Sequence, residues 1–191
     1  MEWNAKWIKP TVDTGDVAPI FLKDFSLKGI VSKATFAITT LGVYEAELNG
    51  KRIGEFILAP GWTSYPKRLQ YQEYDVTELL STKNQLTVLV GKGWYRSYMP
   101  GSWITSAYQD QLRANPGGLL AQLTITYEDG SQEIITTDEG WKVSESQVRF
   151  SEIYDGEIVD ATFETAYDQA VTVFDGPSHT LIPQQGEEIR E

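Results

Sequence analysis

The chain contains no cysteine and one histidine, His179. Without thiols it has no disulfide framework, no thiolate metal site and no cysteine nucleophile. One imidazole excludes a multi-histidine metal site, and any Ser-His-Asp triad would have to pass through it. His179 follows Gly176-Pro177-Ser178, a loop segment where a lone histidine is ordinarily solvated, so it is assigned no role. Basic residues are scarce: 16 Lys+Arg against 27 Asp+Glu leave a formal net charge of −11. That balance repels phosphate backbones and anionic lipids, which excludes nucleic acid and membrane surfaces as partners. No apolar run approaches the ~18 residues of a membrane span. The opening MEWNAKWIKP lacks the basic and apolar regions of a signal peptide. With Met1 taken as a native start, a cytoplasmic location is expected. Helical periodicity is nearly missing, and so are repeats, charge blocks and low-complexity tracts.

What is present is short alternation between turn residues. The chain's 191 residues, 41% hydrophobic, suit one domain with a sizeable core. Tyr44, Ala46 and Leu48 alternate with Glu45 and Glu47, and Asn49-Gly50 follows at once, the pair that favours a type I′ hairpin. Arg52, Ile53 and Phe56 are expected on the return strand. Leu123, Ile125 and Tyr127 alternate with threonines before Asp129-Gly130, with Glu133 to Thr137 returning. Phe36 and Ile38 mark another strand, alternating with Thr35, Ala37 and Thr39. Leu86, Val88 and Val90, then Val148–Phe150 and Val171–Phe174, mark three more. Asp75 to Leu80 predicts a single helical turn capped by Asp75. Turn signals every ~8–12 residues predict an all-β antiparallel sandwich or jelly roll. The exception is Gly91 to Gly118, which sets Trp94, Tyr95, Tyr98, Trp103 and Tyr108 among Gly, Pro and Ser and reads as a long aromatic-rich loop.

Three constellations are candidates for function. Around Trp62, Tyr65 and Arg68, aromatic faces suit the C–H faces of sugars and the guanidinium suits hydroxyls; the alternative is core packing at a sandwich corner. In Gly91-Lys92-Gly93-Trp94-Tyr95-Arg96 the glycines flank an aromatic pair, as a structural turn or a ligand platform. It is no dinucleotide fingerprint, because the third glycine and the following helix are missing. In the third, Asp155, Glu157 and Asp160 form a turn, pair with Arg68 or Arg96, or offer oxygens to a hard cation. Their spacing is not that of an EF-hand, and no metal or cofactor is expected. No carboxylate pair stands out for glycoside hydrolysis, so no catalytic residue is assigned.

Taken in order, these segments resemble the N-terminal region of bacterial α-L-rhamnosidases of glycoside hydrolase family 78 over about residues 3–190. The resemblance runs through Leu41-Gly42-Val43-Tyr44-Glu45, Leu48-Asn49-Gly50-Lys51-Arg52-Ile53-Gly54 and Leu58-Ala59-Pro60-Gly61-Trp62-Thr63-Ser64-Tyr65. It continues in Tyr74-Asp75-Val76-Thr77, Gly91 to Arg96, Leu119 to Leu123, Trp141-Lys142 and Ile153-Tyr154-Asp155-Gly156-Glu157. It implies a jelly-roll β-sandwich, galactose-binding-like, that assists substrate recognition. Catalysis in such enzymes is inverting hydrolysis by two acidic residues in a downstream (α/α)6 barrel. Where related rhamnose-binding modules carry an Asp-Asn pair and calcium, this chain reads Thr40-Leu41-Gly42, so calcium-dependent binding does not carry over. The segment Gln109 to Gly118 also departs from the family's Tyr-Gly-Asp pattern.

The expectation is a non-catalytic β-sandwich domain at residues 1–180, with residues 181–191 starting a linker to a further domain. The closing PQQGEEIRE, charged and without a finishing turn, reads as a chain cut at that linker. The domain alone is expected to be inactive and its parent to be an α-L-rhamnosidase. Expected partners are downstream domains of the same enzyme, with rhamnosides as candidate ligands. A stand-alone carbohydrate-binding module and a purely structural scaffold are the alternatives. The nine candidate residues, for substrate or for interdomain contact, are Trp62, Tyr65, Arg68, Trp94, Tyr95, Arg96, Asp155, Glu157 and Asp160.

Overall fold

A computed structural model describes residues 2–97 and 117–190. Tyr98, Trp103, Tyr108 and most of the Gln109 to Gly118 segment lie outside the described residues. The fold is a nearly all-β sandwich of antiparallel strands. Its strands are β1 (Trp7–Pro10), β2 (Pro19–Ser26), β3 (Val31–Thr40), β4 (Val43–Leu48), β5 (Lys51–Arg52), β6 (Leu69–Asp75) and β7 (Lys83–Gly91). After one helical turn, α1 (Gly93–Arg96), come β8 (Leu119–Tyr127), β9 (Gln132–Thr136), β10 (Lys142–Glu145), β11 (Val148–Glu152), β12 (Gly156–Val159), β13 (Gln169–Phe174) and β14 (Leu181–Pro183).

One layer runs β14-β6-β3-β8-β1, with β9 also on β8; the other runs β10-β2-β7-β4-β5. Strand β13 joins them, pairing with β1 through Val171–Phe174 and with β10 through Gln169 and Ala170. Between the layers, Phe36, Ile38, Leu123 and Ile125 meet Phe21, Tyr44, Leu48, Leu86 and Val88, all buried. Each such side chain contributes roughly 1.5–3 kcal/mol of transfer free energy. Strands β11 and β12 form a separate two-stranded arm.

The turn chemistry explains the register. Asn49 and Gly50 both take positive φ, +57° and +74°, so the type I′ turn forms and β4 returns into β5. The return strand is only Lys51–Arg52; Ile53 then turns into the core while its N–H still bonds the Ala46 carbonyl at 2.8 Å. The expected turn forms as a 3-10 turn over Thr77–Leu79, but its N-cap is Val76, which makes no side-chain cap bond; Asp75, one residue earlier, instead accepts from the Thr77 N–H at 3.0 Å.

One difference from the sequence reading has a physical cause. Ala37 and Thr39 of β3, which alternation marks as wet, are buried. A second cluster of Trp7, Leu41, Leu69 and Leu120 packs outside the main core, so the middle of that layer is covered on both faces. Residues 181–183 pair with Leu69–Tyr71 as the only parallel strand pair among the described residues.

Candidate functional site

The loop before β6 and the turn after β7 meet because β4, which the loop follows, pairs with β7. Tyr44 of β4 anchors the loop: its N–H bonds the Ala59 carbonyl at 2.8 Å. The Tyr44 hydroxyl donates to Gln72 Oε1 at 2.9 Å and lies 3.1 Å from the Tyr74 hydroxyl. Burial, then the neighbouring Tyr74, drives the Tyr44 phenol well above its ordinary pKa, so the network stays neutral. Gln72 in turn donates to the Pro60 carbonyl at 3.4 Å. A turn from Leu58 to Gly61 then delivers Trp62 to the surface, 60% exposed.

On the other side, Gly42 makes room for the β7–α1 corner. Its φ is +155°, and a Cβ there would lie 2.2 Å from the Gly91 carbonyl oxygen. The backbone of β7 therefore turns directly over β4, and α1 projects Trp94 and Tyr95 at the loop. Trp62 and Trp94 stack with centroids 6.4 Å apart and planes at 16°. Tyr65 and Tyr95 meet edge to face at 5.1 Å. Both tyrosines pack on the second apolar cluster, and the Tyr65 hydroxyl is buried without a hydrogen-bond partner. Burial raises both phenols above their ordinary pKa. The tyrosine pair thus ties the same two segments together, and Trp62 supplies the open ring face.

Lys92 and Arg96 lie one turn apart beside the β11–β12 arm. Lys92 Nζ bonds Glu152 Oε1 at 2.8 Å and Asp16 Oδ1 at 2.5 Å, and sits 5.6 Å from the Phe150 ring centre. Burial opposes the Lys92 charge, but those two carboxylates outweigh it and raise its pKa. Glu152 also accepts from the Ser97 hydroxyl. Its side chain is only 6% exposed.

The nine sequence candidates separate into groups. Trp62, Tyr65, Trp94 and Tyr95 come together. Arg96 and Asp155 line one pocket of about 350 Å³ with Lys92, Glu152, Asp13 and Asp16. Glu157 lines another of about 350 Å³ on the other side of the arm. Arg68 is exposed just before β6. Asp160 serves its own turn, accepting from the Thr162 N–H at 2.9 Å and the Thr162 hydroxyl at 2.6 Å. Those bonds hold its carboxyl below the usual range. Glu152 is the residue that sequence reasoning missed.

The described residues hold a stacked indole pair with one accessible face, flanked by a buried ion cluster and two pockets. The indole face suits a flat apolar ligand surface, and the pockets offer both carboxylates and cations to hydroxyls.

A family model described as the alpha-L-rhamnosidase N-terminal domain matches residues 29–191. An alpha-L-rhamnosidase of Formosa agariphila is 36% identical over 175 residues, 85% of this chain and 18% of its own length. The crystal structure of native α-L-rhamnosidase from Aspergillus terreus aligns with a TM-score of 0.80 at 33% identity, over 93% of this chain and 22% of that one. The Streptomyces avermitilis enzyme complexed with L-rhamnose aligns at 0.72 and 36% identity, over 83% of this chain and 16% of that one. The chain therefore spans between 16% and 22% of the length of these relatives.

Proposed function

The chain belongs to the alpha-L-rhamnosidase N-terminal domain family, and from that premise we propose that it is a non-catalytic β-sandwich domain assisting substrate recognition in an α-L-rhamnosidase. In this reading the hydrolysis of terminal α-L-rhamnose belongs to the rest of the parent polypeptide, against whose catalytic (α/α)6 barrel this domain packs. The observation that carries the reading is the Trp62–Trp94 stack, with Trp62 60% exposed although an indole ordinarily buries its area. A ring face held open is what contact with a sugar or aglycone face requires.

The test compares residues 1–191 with the full-length parent on an aryl α-L-rhamnoside. Turnover by the full-length chain and none by the domain is the expected result; turnover by the domain alone would overturn the reading. In the full-length chain, Trp62→Ala should raise KM more than it lowers kcat.

The accessible Trp62 face also favours a second reading, a stand-alone carbohydrate-binding module. Calorimetric titration of the domain with L-rhamnose, with and without calcium, separates the two. No heat at millimolar sugar counts against the module. A pure scaffold would bury Trp62 and Trp94 alike, and the exposure of Trp62 speaks against that.

A further inference from the structure

We propose that a groove between the β11–β12 arm and the Ile57–Leu58 turn is the seat of a following domain of the same polypeptide. This rests on the reading that the domain packs against the rest of a rhamnosidase. The groove encloses about 350 Å³ over a floor that includes Val43 and Leu89. Its walls are Ile57 and Leu58 on one side and Ser151 and Glu157 of the arm on the other. The direction of the chain singles it out. After β14, the Ile57 N–H bonds the Ile189 carbonyl at 2.8 Å, and Arg190 pairs with Glu55 at 3.4 Å. The C-terminal segment thus lies along the groove's own wall, and this chain spans only 18% to 22% of the length of its relatives, so other domains share the polypeptide.

The surface there is apolar where a soluble face is ordinarily polar. Leu58 is 38% exposed, Val159 55% and Ile189 57%. Val159 pairs with Val148, which lines the groove, so both side chains share the face turned toward it. Among the described residues strand β12 pairs only with β11, which leaves its other edge beside the groove unpaired there. Glu45 and Glu55 at its margin are paired with Arg52 and Arg190, and Glu157 lines the groove, so the occupant presents chiefly aliphatic side chains.

The native sequence has no cysteine over these residues, so single thiols report cover directly. Leu58→Cys, Val159→Cys and, as reference on β9, Ile134→Cys are placed one at a time in the full-length polypeptide. Alkylation is followed by peptide mass mapping, with circular dichroism to verify folding. Thiols at 58 and 159 should react about ten-fold or more slowly than the one at 134. If either reacts as fast as that reference, the groove is open and the proposal is overturned. A slow thiol at 134 with fast ones at 58 and 159 would keep interdomain packing but move it to another face. Three fast thiols would remove both readings. Protection at 58 and 159 that vanishes on dilution to a monomer would assign the groove to a second copy and overturn the proposal.

Discussion

Trp62 stacks on Trp94 at 16° between planes, yet the two rings differ in what holds them. Trp94 is half-buried on a turn fixed over β4, whereas Trp62 stands on a loop tip with its outer face open. Trp62→Ala should therefore change stability by no more than about 1 kcal/mol. Trp94→Ala opens the wall beneath the pair and should cost about 2–3 kcal/mol. Urea unfolding followed by far-UV circular dichroism measures both, and equal costs would contradict the asymmetry.

The Lys92–Glu152 pair is the most enclosed ion pair among the described residues, with side chains 14% and 6% exposed. Lys92→Met strands the Glu152 carboxylate with the Ser97 hydroxyl alone and should cost about 2–3 kcal/mol, below the ~3–5 of a fully enclosed pair. Adding Glu152→Leu should recover part of that loss. A double-mutant cycle is expected to give about 1–2 kcal/mol of coupling, and strict additivity would contradict it.

Acid should weaken the fold through its turns. Hydrogen bonds from Ser131 hold Asp129 below the ordinary aspartate range, and bonds from Thr162 do the same for Asp160. Burial pushes Glu133 up, but bonds from Lys28 and Tyr127 outweigh it and leave its carboxyl low. A carboxyl with a depressed folded pKa contributes stability above its unfolded value, and loses it as pH falls through the folded one. Stability should hold down to about pH 4–4.5 and then decline. Asp129→Asn and Asp160→Asn should each flatten the decline, read as melting temperature against pH.

Gly42 is the backbone contact on which the aromatic corner depends. In Gly42→Ala the new methyl would lie 2.2 Å from the Gly91 carbonyl oxygen, at a φ of +155° that other residues rarely adopt. The substitution should cost about 2–3 kcal/mol and displace α1. Gly130→Ala, at a φ of +81° but with open space around it, should cost only about 1 kcal/mol. Chemical denaturation of the two variants compares crowding with conformational strain alone.

The elements legible from sequence were those specified locally. Alternation in Tyr44 to Leu48 and Leu123 to Tyr127, with Asn49-Gly50 and Asp129-Gly130 after them, identified β4, β8 and their turns, and Leu86, Val88 and Val90 identified β7. Strands β1, β2, β6, β10, β12 and β14 went unread: β1, β10, β12 and β14 are only three or four residues long, and β2 and β6, though longer, lack a hairpin turn of their own and take their partners from distant segments. The same holds at the site. Trp62, Tyr65, Trp94 and Tyr95 stood out as residue types, but their pairwise meeting depends on β4 lying beside β7. Glu152 looked like one more charge in an acidic chain, because its partner Lys92 is remote in sequence. Asp160 stood out for proximity to Asp155 and Glu157, whereas its nearest hydrogen-bond donors were two residues ahead.

Strand β14 runs parallel to β6, and the chain beyond it is tied again at Gln184–Tyr71 and Ile189–Ile57. Tension drawn from Arg190 along that strand would load these bonds in shear, several at once, and not peel them singly. The sandwich is thus coupled to its own C-terminal segment as a stiff mechanical linkage. A body tethered there would transmit torque into β6, directly behind the loop that carries Trp62.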